Sequence, residues 1–367
     1  MSYITAIGIA NPQHKFSQST IADFMVKAMQ LGKNDSRLLQ TIFRSSGIDF
    51  RHSVLPDYGM TDNFKFYPNS QNFEPFPTTE KRLSEFRRNV LDLSSKAIDN
   101  MLLNVPAFDI KTVSHVIVVC CTGMYAPGLD IDLVKKYGLS TAVHRTGINF
   151  MGCYAAFNAI KVADAFCHQD ENAKVLIVCT ELCSLHFQKK VTEDNLLANA
   201  LFADGSAAIL MESQSRQPRR LRPIGFHSVL VPKSDNDMAW VIGDLGFEMK
   251  LSTYVPSIIR EGIAELTQTL LKKVSKDLSS IRFFAIHPGG KRILENIEKE
   301  LDIPRDKNEA AHFVLRNYGN MSSPTILFVL HEIFRAMTHD DHDEHILSFA
   351  FGPGLTLESM VLQIEME

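Results

Sequence analysis

Long apolar runs are scarce in this 367-residue sequence. The most hydrophobic internal stretch, HVIVVCCTGMYAPGL, falls well short of the roughly 20 residues that cross a bilayer, so no membrane span is expected. The first residues, MSYITAIGIANPQHKF, have no basic segment ahead of an apolar one, and Asn11 and Pro12 break the run at once; they read as a first strand and not as an export leader. Charge of one sign is also lacking. A formal net charge of −4 gives no global reason to expect nucleic acid or an anionic membrane as partner. Tryptophan occurs once, as Trp240. The six cysteines, at 120, 121, 153, 167, 179 and 183, crowd into one part of a long chain and suit free thiols in a reducing, cytoplasmic setting. Cys179 and Cys183 have no second pair to complete a tetrahedral zinc site, so no metal is expected.

What is present is ordinary globular composition, 45% hydrophobic and 22% charged, arranged as two long alternations of strand-like and helix-like segments. ESQSRQPRRLRP, residues 212–223, is polar, basic and proline-containing, and is taken as a solvated boundary between halves 1–212 and 224–367. In the first half, 114–123 and 173–181 are continuous β-branched runs that suit strands buried on both faces. Residues 152–168 form a small, apolar helix fit for a core position, and 200–211 a further strand. The second half repeats the order, with a strand at 281–290, a buried helix within 317–334, and strand, glycine turn and strand over 345–362. This suggests a duplication in which His287 corresponds to the strand end at Cys121 and Thr122, and Asn320 to the helix start at Cys153.

Cys153 follows Gly152 at the start of a helix, whose positive dipole end would lower a thiol pKa. His287 stands between a strand and Pro288-Gly289-Gly290, where a substrate could approach the imidazole closely. Asn320 could simply cap a helix. Together, however, Cys, His and Asn supply a nucleophile, its base and two donors to a developing oxyanion. The conspicuous THDDHDEH cluster, 338–345, reads as a solvated acidic loop without a role.

HRTGINFMGCYAAFNAIKVADAF, ALFADGSAAILM, AIHPGGKRILENIEKEL, NYGNMSSPTILFVL and AFGPGLTLESMVL resemble, in order, successive blocks of the type III polyketide synthases, the chalcone synthase relatives. The resemblance runs from about residue 40 to the C-terminus. It implies an α/β, thiolase-like αβαβα five-layer fold, a homodimer, acyl-CoA starter and malonyl-CoA extender as substrates, and no cofactor. By position it makes Cys153, His287 and Asn320 the catalytic triad. It places Phe202 and Met249 at the two gatekeeper positions, and Trp240, Cys121, Thr122, Cys183, Leu185, His186 and Ser322 on the lining of the elongation cavity. Trp240 stands where many plant relatives have glycine, which would shrink that cavity, and FGPGL, 351–355, would scaffold the site. The positions of the relatives' CoA-phosphate bases hold Leu38, Thr41 and Ser45; Arg44, Lys291 and Arg292 are the substitutes, and an acyl carrier protein remains open as starter donor. An initiating ketoacyl synthase of fatty-acid type is the nearest alternative, although its motif is closer to His-Gln-Ala-Asn than to His-Pro-Gly-Gly. A papain-like protease fits poorly, because the cysteine lies mid-chain with no Trp after it. A catalytically silent dimeric scaffold conflicts with the intact triad.

Overall fold

The computed structural model describes residues 1–215, 217–232 and 237–367. Among these described residues ten helices and thirteen strands run in chain order. The first seven are β1 (Tyr3–Ala10), β2 (His14–Ser17), β3 (Phe50–Ser53), β4 (His115–Cys120), β5 (His144–Asn149), β6 (Lys174–Leu182) and β7 (Asp204–Glu212). Then come β8 (Arg219–Leu230), β9 (Met238–Gly243), β10 (Gly246–Leu251), β11 (Ile281–Ile286), β12 (His345–Gly352) and β13 (Thr356–Met366). The first five helices are α1 (Gln18–Ala28), α2 (Lys33–Ser45), α3 (Thr79–Leu103), α4 (Leu129–Tyr137) and α5 (Ala155–Gln169). The others are α6 (Glu193–Leu201), α7 (Val255–Lys273), α8 (Lys291–Glu300), α9 (Glu309–Tyr318) and α10 (Thr325–Ala336). No helix among the described residues is long and apolar enough to cross a membrane.

Nine strands form one sheet in the order β11-β12-β13-β8-β1-β7-β6-β4-β5. It is two half-sheets joined at a seam, where β1 and β8 share the single pair Ile4↔Leu221. From the seam outward both halves read antiparallel, antiparallel, parallel: β1-β7-β6-β4 on one side and β8-β13-β12-β11 on the other. The expected duplication is therefore visible in strand polarity.

The continuous apolar runs make strands with two buried faces. Along β4, Ile117 and Val119 enter one core while Val116, Val118 and Cys120 enter the other, and β6 divides its side chains likewise. Small residues on nearly every side let α5 lie between the half-sheets, touching β4, β6 and β13; α10 lies beside it against β1, β7 and β11. Helices α3 and α4 cover the outer face of one half, α7 the outer face of the other with α8 packed on it. The layers are thus helix, sheet, helix, sheet, helix.

Three segments differ from the sequence reading. The stretch 212–223 is not an open linker: β8 begins at Arg219, Arg220 and Arg222 pair with Glu365 on β13 at 2.8 and 2.9 Å, and Arg219 donates to the Phe334 and Met337 carbonyls. Arg216 lies outside the described residues. The 200–211 segment is the end of α6 followed by β7, because Phe202 stops the helix with an extended backbone. The 338–345 cluster is partly buried: Asp341 takes Arg282 at 3.1 Å and closes a capping box with Thr338, and His345 opens β12.

Candidate active site

Three chain segments converge where the inner ends of the two halves meet. Residues Gly152–Tyr154 make one 3-10 turn that feeds directly into α5, with Cys153 at its centre and 1% exposed. Gly152 has φ +73°, and a Cβ there would lie 2.3 Å from Cδ of Pro353. Only glycine permits this approach. A Cβ on Gly352 would in turn meet the Tyr154 ring at 2.5 Å. The FGPGL segment of the C-terminal half thus braces the nucleophile turn of the N-terminal half, and the Gly152 N–H donates to Sγ of Cys121 at 3.1 Å.

His287 follows β11, its main-chain N–H donating to Phe349 O at 2.8 Å. Both ring nitrogens are buried without a hydrogen-bond partner. Asn320 does not start a helix, as the duplication implied; it lies in the connection between α9 and α10. Its Oδ1 accepts from the Ser322 N–H at 2.8 Å, which closes a local turn and directs the amide inward. Nδ2 then sits 4.0 Å from Sγ of Cys153 and 3.5 Å from Gly289 O, in the turn after His287. One amide therefore bridges the cysteine and the histidine turn.

Burial dominates the electrostatics. Desolvation pushes the Cys153 thiol up to about 12, against lowering by the Ser322 and Asn320 side chains, and pushes the His287 imidazole down to about 3. The depression expected from a helix start is outweighed by burial here. Each shift penalises the charged form of its own group, and neither His287 ring nitrogen lies within hydrogen-bond distance of Sγ of Cys153 in this geometry.

The triad lies across two adjoining spaces. A cleft of about 1320 Å³ between α2, α6, α7 and α8 is bordered by His287, Asn320, Lys291 and Arg292. A smaller chamber, about 330 Å³, holds Cys153 together with Cys121, Thr122, Cys183 and Ser322. Phe202 borders both, as a gatekeeper would. Met249 and Trp240, paired directly across the β9–β10 hairpin, form another wall of the chamber, and the Trp240 indole N–H donates to Cys121 O at 2.8 Å.

Several expected positions fall elsewhere. Leu185 is fully buried and lines neither space; its carbonyl accepts from Arg82. His186 is held by Thr122 O at 2.7 Å and the Phe247 N–H at 3.0 Å, an arrangement that fixes Nε2 as donor and Nδ1 as acceptor, and burial pushes it down to about 3. It is a locked neutral ring behind the chamber. The chain leaves β6 into a 3-10 turn at Cys183–His186, from which Cys183 lines the chamber and Leu185 and His186 do not. Arg44 points away from the cleft and donates to Gln40 O on its own helix at 3.3 Å, whereas Leu38 and Ser45 do border it.

Sequence reasoning missed Glu181. It is fully buried beneath the chamber and accepts from the Cys121 N–H at 2.9 Å, Thr122 Oγ1 at 2.7 Å and Ser323 Oγ at 2.7 Å. A carboxylate inside the apolar run KVLIVCTEL was the available signal. Met238, which borders both chamber and cleft, carried none.

A thiolase-like fold with a cysteine, a histidine and an asparagine converging from its two halves defines a condensing type of acyltransferase. The patterns of the chalcone and stilbene synthase N-terminal and C-terminal domains match residues 1–215 and 226–365, and the chain belongs to that family, the type III polyketide synthases. It is 30% identical over 373 aligned residues to "Probable polyketide synthase 1" of Dictyostelium discoideum, covering 99% of this chain but 11% of that much longer protein. It is 27% identical over 369 residues to "Alpha-pyrone synthesis polyketide synthase-like Pks18" of Mycobacterium tuberculosis, covering 99% and 91%. Among solved structures, the C-terminal type III polyketide synthase domain of Steely1, a type I/III hybrid from Dictyostelium, superimposes with a TM-score of 0.91 at 29% identity, covering 100% of this chain and 99% of that one. PKS-I of the brown alga Ectocarpus siliculosus gives 0.91 at 27%, covering 99% and 98%.

Proposed function

We propose that the protein extends an acyl thioester starter with malonyl-CoA by iterative decarboxylative Claisen condensation and then cyclises the product. The cleft admits the thioester arm. Cys153, its proton passed to His287, attacks the starter carbonyl and expels the carrier thiol, which leaves an acyl-enzyme in the chamber. Malonyl thioester then enters the same cleft and loses carbon dioxide. The C–C bond electrons remain as an enolate whose oxygen accepts from His287 and from Nδ2 of Asn320. The enolate carbon attacks the Cys153 thioester, the sulfur leaves, and the extended chain departs on the incoming thiol. Decarboxylation supplies the carbanion, so the scheme calls for no strong base and no cofactor.

The observation that carries this reading is the Asn320 amide, 4.0 Å from Sγ of Cys153 and 3.5 Å from the turn after His287, where cleft and chamber join. A homodimer in the cytoplasm is the working form proposed. Leu38 and Ser45 on the cleft wall favour weak grip on the CoA nucleotide, which leaves an acyl carrier protein as a second donor of starters. The test is carbon dioxide release from malonyl-CoA, with mass spectrometry of products from a panel of acyl-CoA starters. Release that persists unchanged in Cys153→Ala and His287→Ala together would refute the scheme, and tight partner binding without turnover would identify a scaffold instead.

A further inference from the structure

Helix α6 ends where the site begins, and a helix C-terminus leaves its last four carbonyls without partners inside the helix. Here each one is taken. The carbonyls of Asn199 and Phe202 both accept from Nη1 of Arg51, at 2.8 and 2.6 Å. That of Ala200 accepts from Nε2 of Gln18 at 2.7 Å, and that of Leu201 from the Asn320 N–H at 2.9 Å. Gln18 is itself held by Arg51, whose Nε donates to its Oε1 at 2.8 Å. One guanidinium therefore governs three of the four carbonyls, directly or through Gln18, and the fourth carries the main chain of Asn320.

Arg51 stands on β3, is 4% exposed, and takes part in no step of the condensation. Its stem lies against the residue before Asn320: Gly319 has φ +71°, and a Cβ there would stand 2.9 Å from Cγ of Arg51. Its guanidinium faces the Phe43 ring of α2, 5.4 Å from the centroid. Burial pulls the group down to about 10, so it stays charged at neutral pH and bears the cost of desolvation while bonding only neutral oxygens. The carbonyl end of a helix attracts a cation, which offsets part of that cost. A planar fork with fixed donor directions also sets two carbonyls and an amide in one geometry, which a lysine head cannot do.

We propose that Arg51 is a positioning residue for the condensation: by fixing the end of α6 and packing against Gly319, it holds Phe202 and the Asn320 amide in their working places beside Cys153. The inference rests on the reading that Asn320 stabilises the enolate. Arg51 touches neither substrate nor nucleophile, and it acts through the main chain that it braces.

Arg51→Lys keeps the charge and most of the stem but not the fork. Its kcat for malonyl-CoA decarboxylation should fall about 10- to 100-fold, the scale of a misplacement of about 1 Å, with KM changed less than about twofold. In an Asn320→Ala background the same substitution should cost less than about threefold, because the donor that it positions is gone. A kcat within about twofold of wild type overturns the proposal, and so does an equal loss in both backgrounds, which marks a general structural defect. If Arg51→Lys does not fold, Gln18→Met goes through the same cycle, since it leaves Arg51 in place but removes the acceptor of Nε and the donor to Ala200 O. A kcat loss that disappears in the Asn320→Ala background supports the proposal; an equal loss in both, or none, refutes it. If wild type releases no carbon dioxide from malonyl-CoA, the condensation reading has failed, and the positioning is judged separately by amide hydrogen exchange. Faster exchange in Arg51→Lys confined to 199–204 and 317–322 supports it; unchanged exchange, or faster exchange in β4 and β6 as well, refutes it.

Discussion

Phe202 and Asn320 are joined through the main chain: the Asn320 N–H donates to Leu201 O at 2.9 Å, and the Ala203 N–H donates to Asn320 O at 2.8 Å. The residue at the mouth of the chamber and the amide beside the nucleophile therefore move as one unit, whatever their side chains are.

Asn320→Ala keeps that bridge and removes only the donor. Malonyl-CoA decarboxylation is expected to fall by a factor of roughly 100 to 1,000, the usual scale for one oxyanion donor. A near wild-type rate in the variant would leave Asn320 as a turn-forming residue only.

Iodoacetamide labelling of Cys153, mapped by mass and followed against pH, separates a lone thiol from a thiol paired with imidazole. His287→Gln removes the proton acceptor, and the thiol is then left to its burial, which even against the Ser322 and Asn320 side chains pushes it up to about 12. The labelling midpoint of the variant should lie well above that of wild type. Coincident midpoints would show that the imidazole does not assist ionisation.

His186 and His287 are both held neutral, each pushed down to about 3 from an ordinary value near 6.5. A histidine lowered on folding contributes stability that is complete above the unfolded value and is lost as pH falls toward the folded one. Asp204, pushed up to about 6, works the other way below that pH. Unfolding free energy should drop as pH decreases from 6.5 to 5, and in His186→Gln the drop should shrink by about 1.4 kcal/mol per pH unit at most. Urea unfolding across that range checks it; identical slopes would remove His186 from the account.

Arg292→Ala should raise KM for malonyl-CoA about tenfold, with a steeper loss at low salt, because Arg292 borders the cleft in the first turn of α8. Arg44→Ala should change KM less than about twofold, since Arg44 lies outside it. The reverse ranking would place the thioester arm on the other side of α2.

Trp240→Ala should enlarge the chamber and shift products to more extensions or bulkier starters. Loss of the indole N–H bond to Cys121 O and of its edge contacts with His186 and Phe247 should also destabilise the protein, by no more than the roughly 3 to 5 kcal/mol of a buried aromatic truncation. An unchanged product profile with a large fall in Tm would leave Trp240 as packing alone.

The triad was legible in the sequence because each member sits beside residues with marked backbone preferences, Gly152 before Cys153, Pro288-Gly289-Gly290 after His287 and Gly319 before Asn320. The layered architecture was legible because β4, β6, α5 and α10 are apolar on both sides, which only an inner layer requires. Leu185 and His186 were misplaced because position in a resembling sequence does not say which side chains of the 3-10 turn after β6 reach the chamber, as Cys183 does. Arg44 was misassigned because charge on a surface helix says nothing about which side of the helix faces the cleft. Glu181 escaped notice because a buried charge looks, in sequence, like any other charge, and its partners come from segments tens to more than a hundred residues away.

The contact of Pro353 with Gly152 has a consequence for the life of the chain as it is made. Cys153 is synthesised 167 residues before Asn320 and earlier still than the segment that braces its turn. A nascent polypeptide thus carries the thiol long before it carries the amide, the imidazole or the brace. The cysteine is unassisted during that interval, and its turn is braced only after residue 353 has been made.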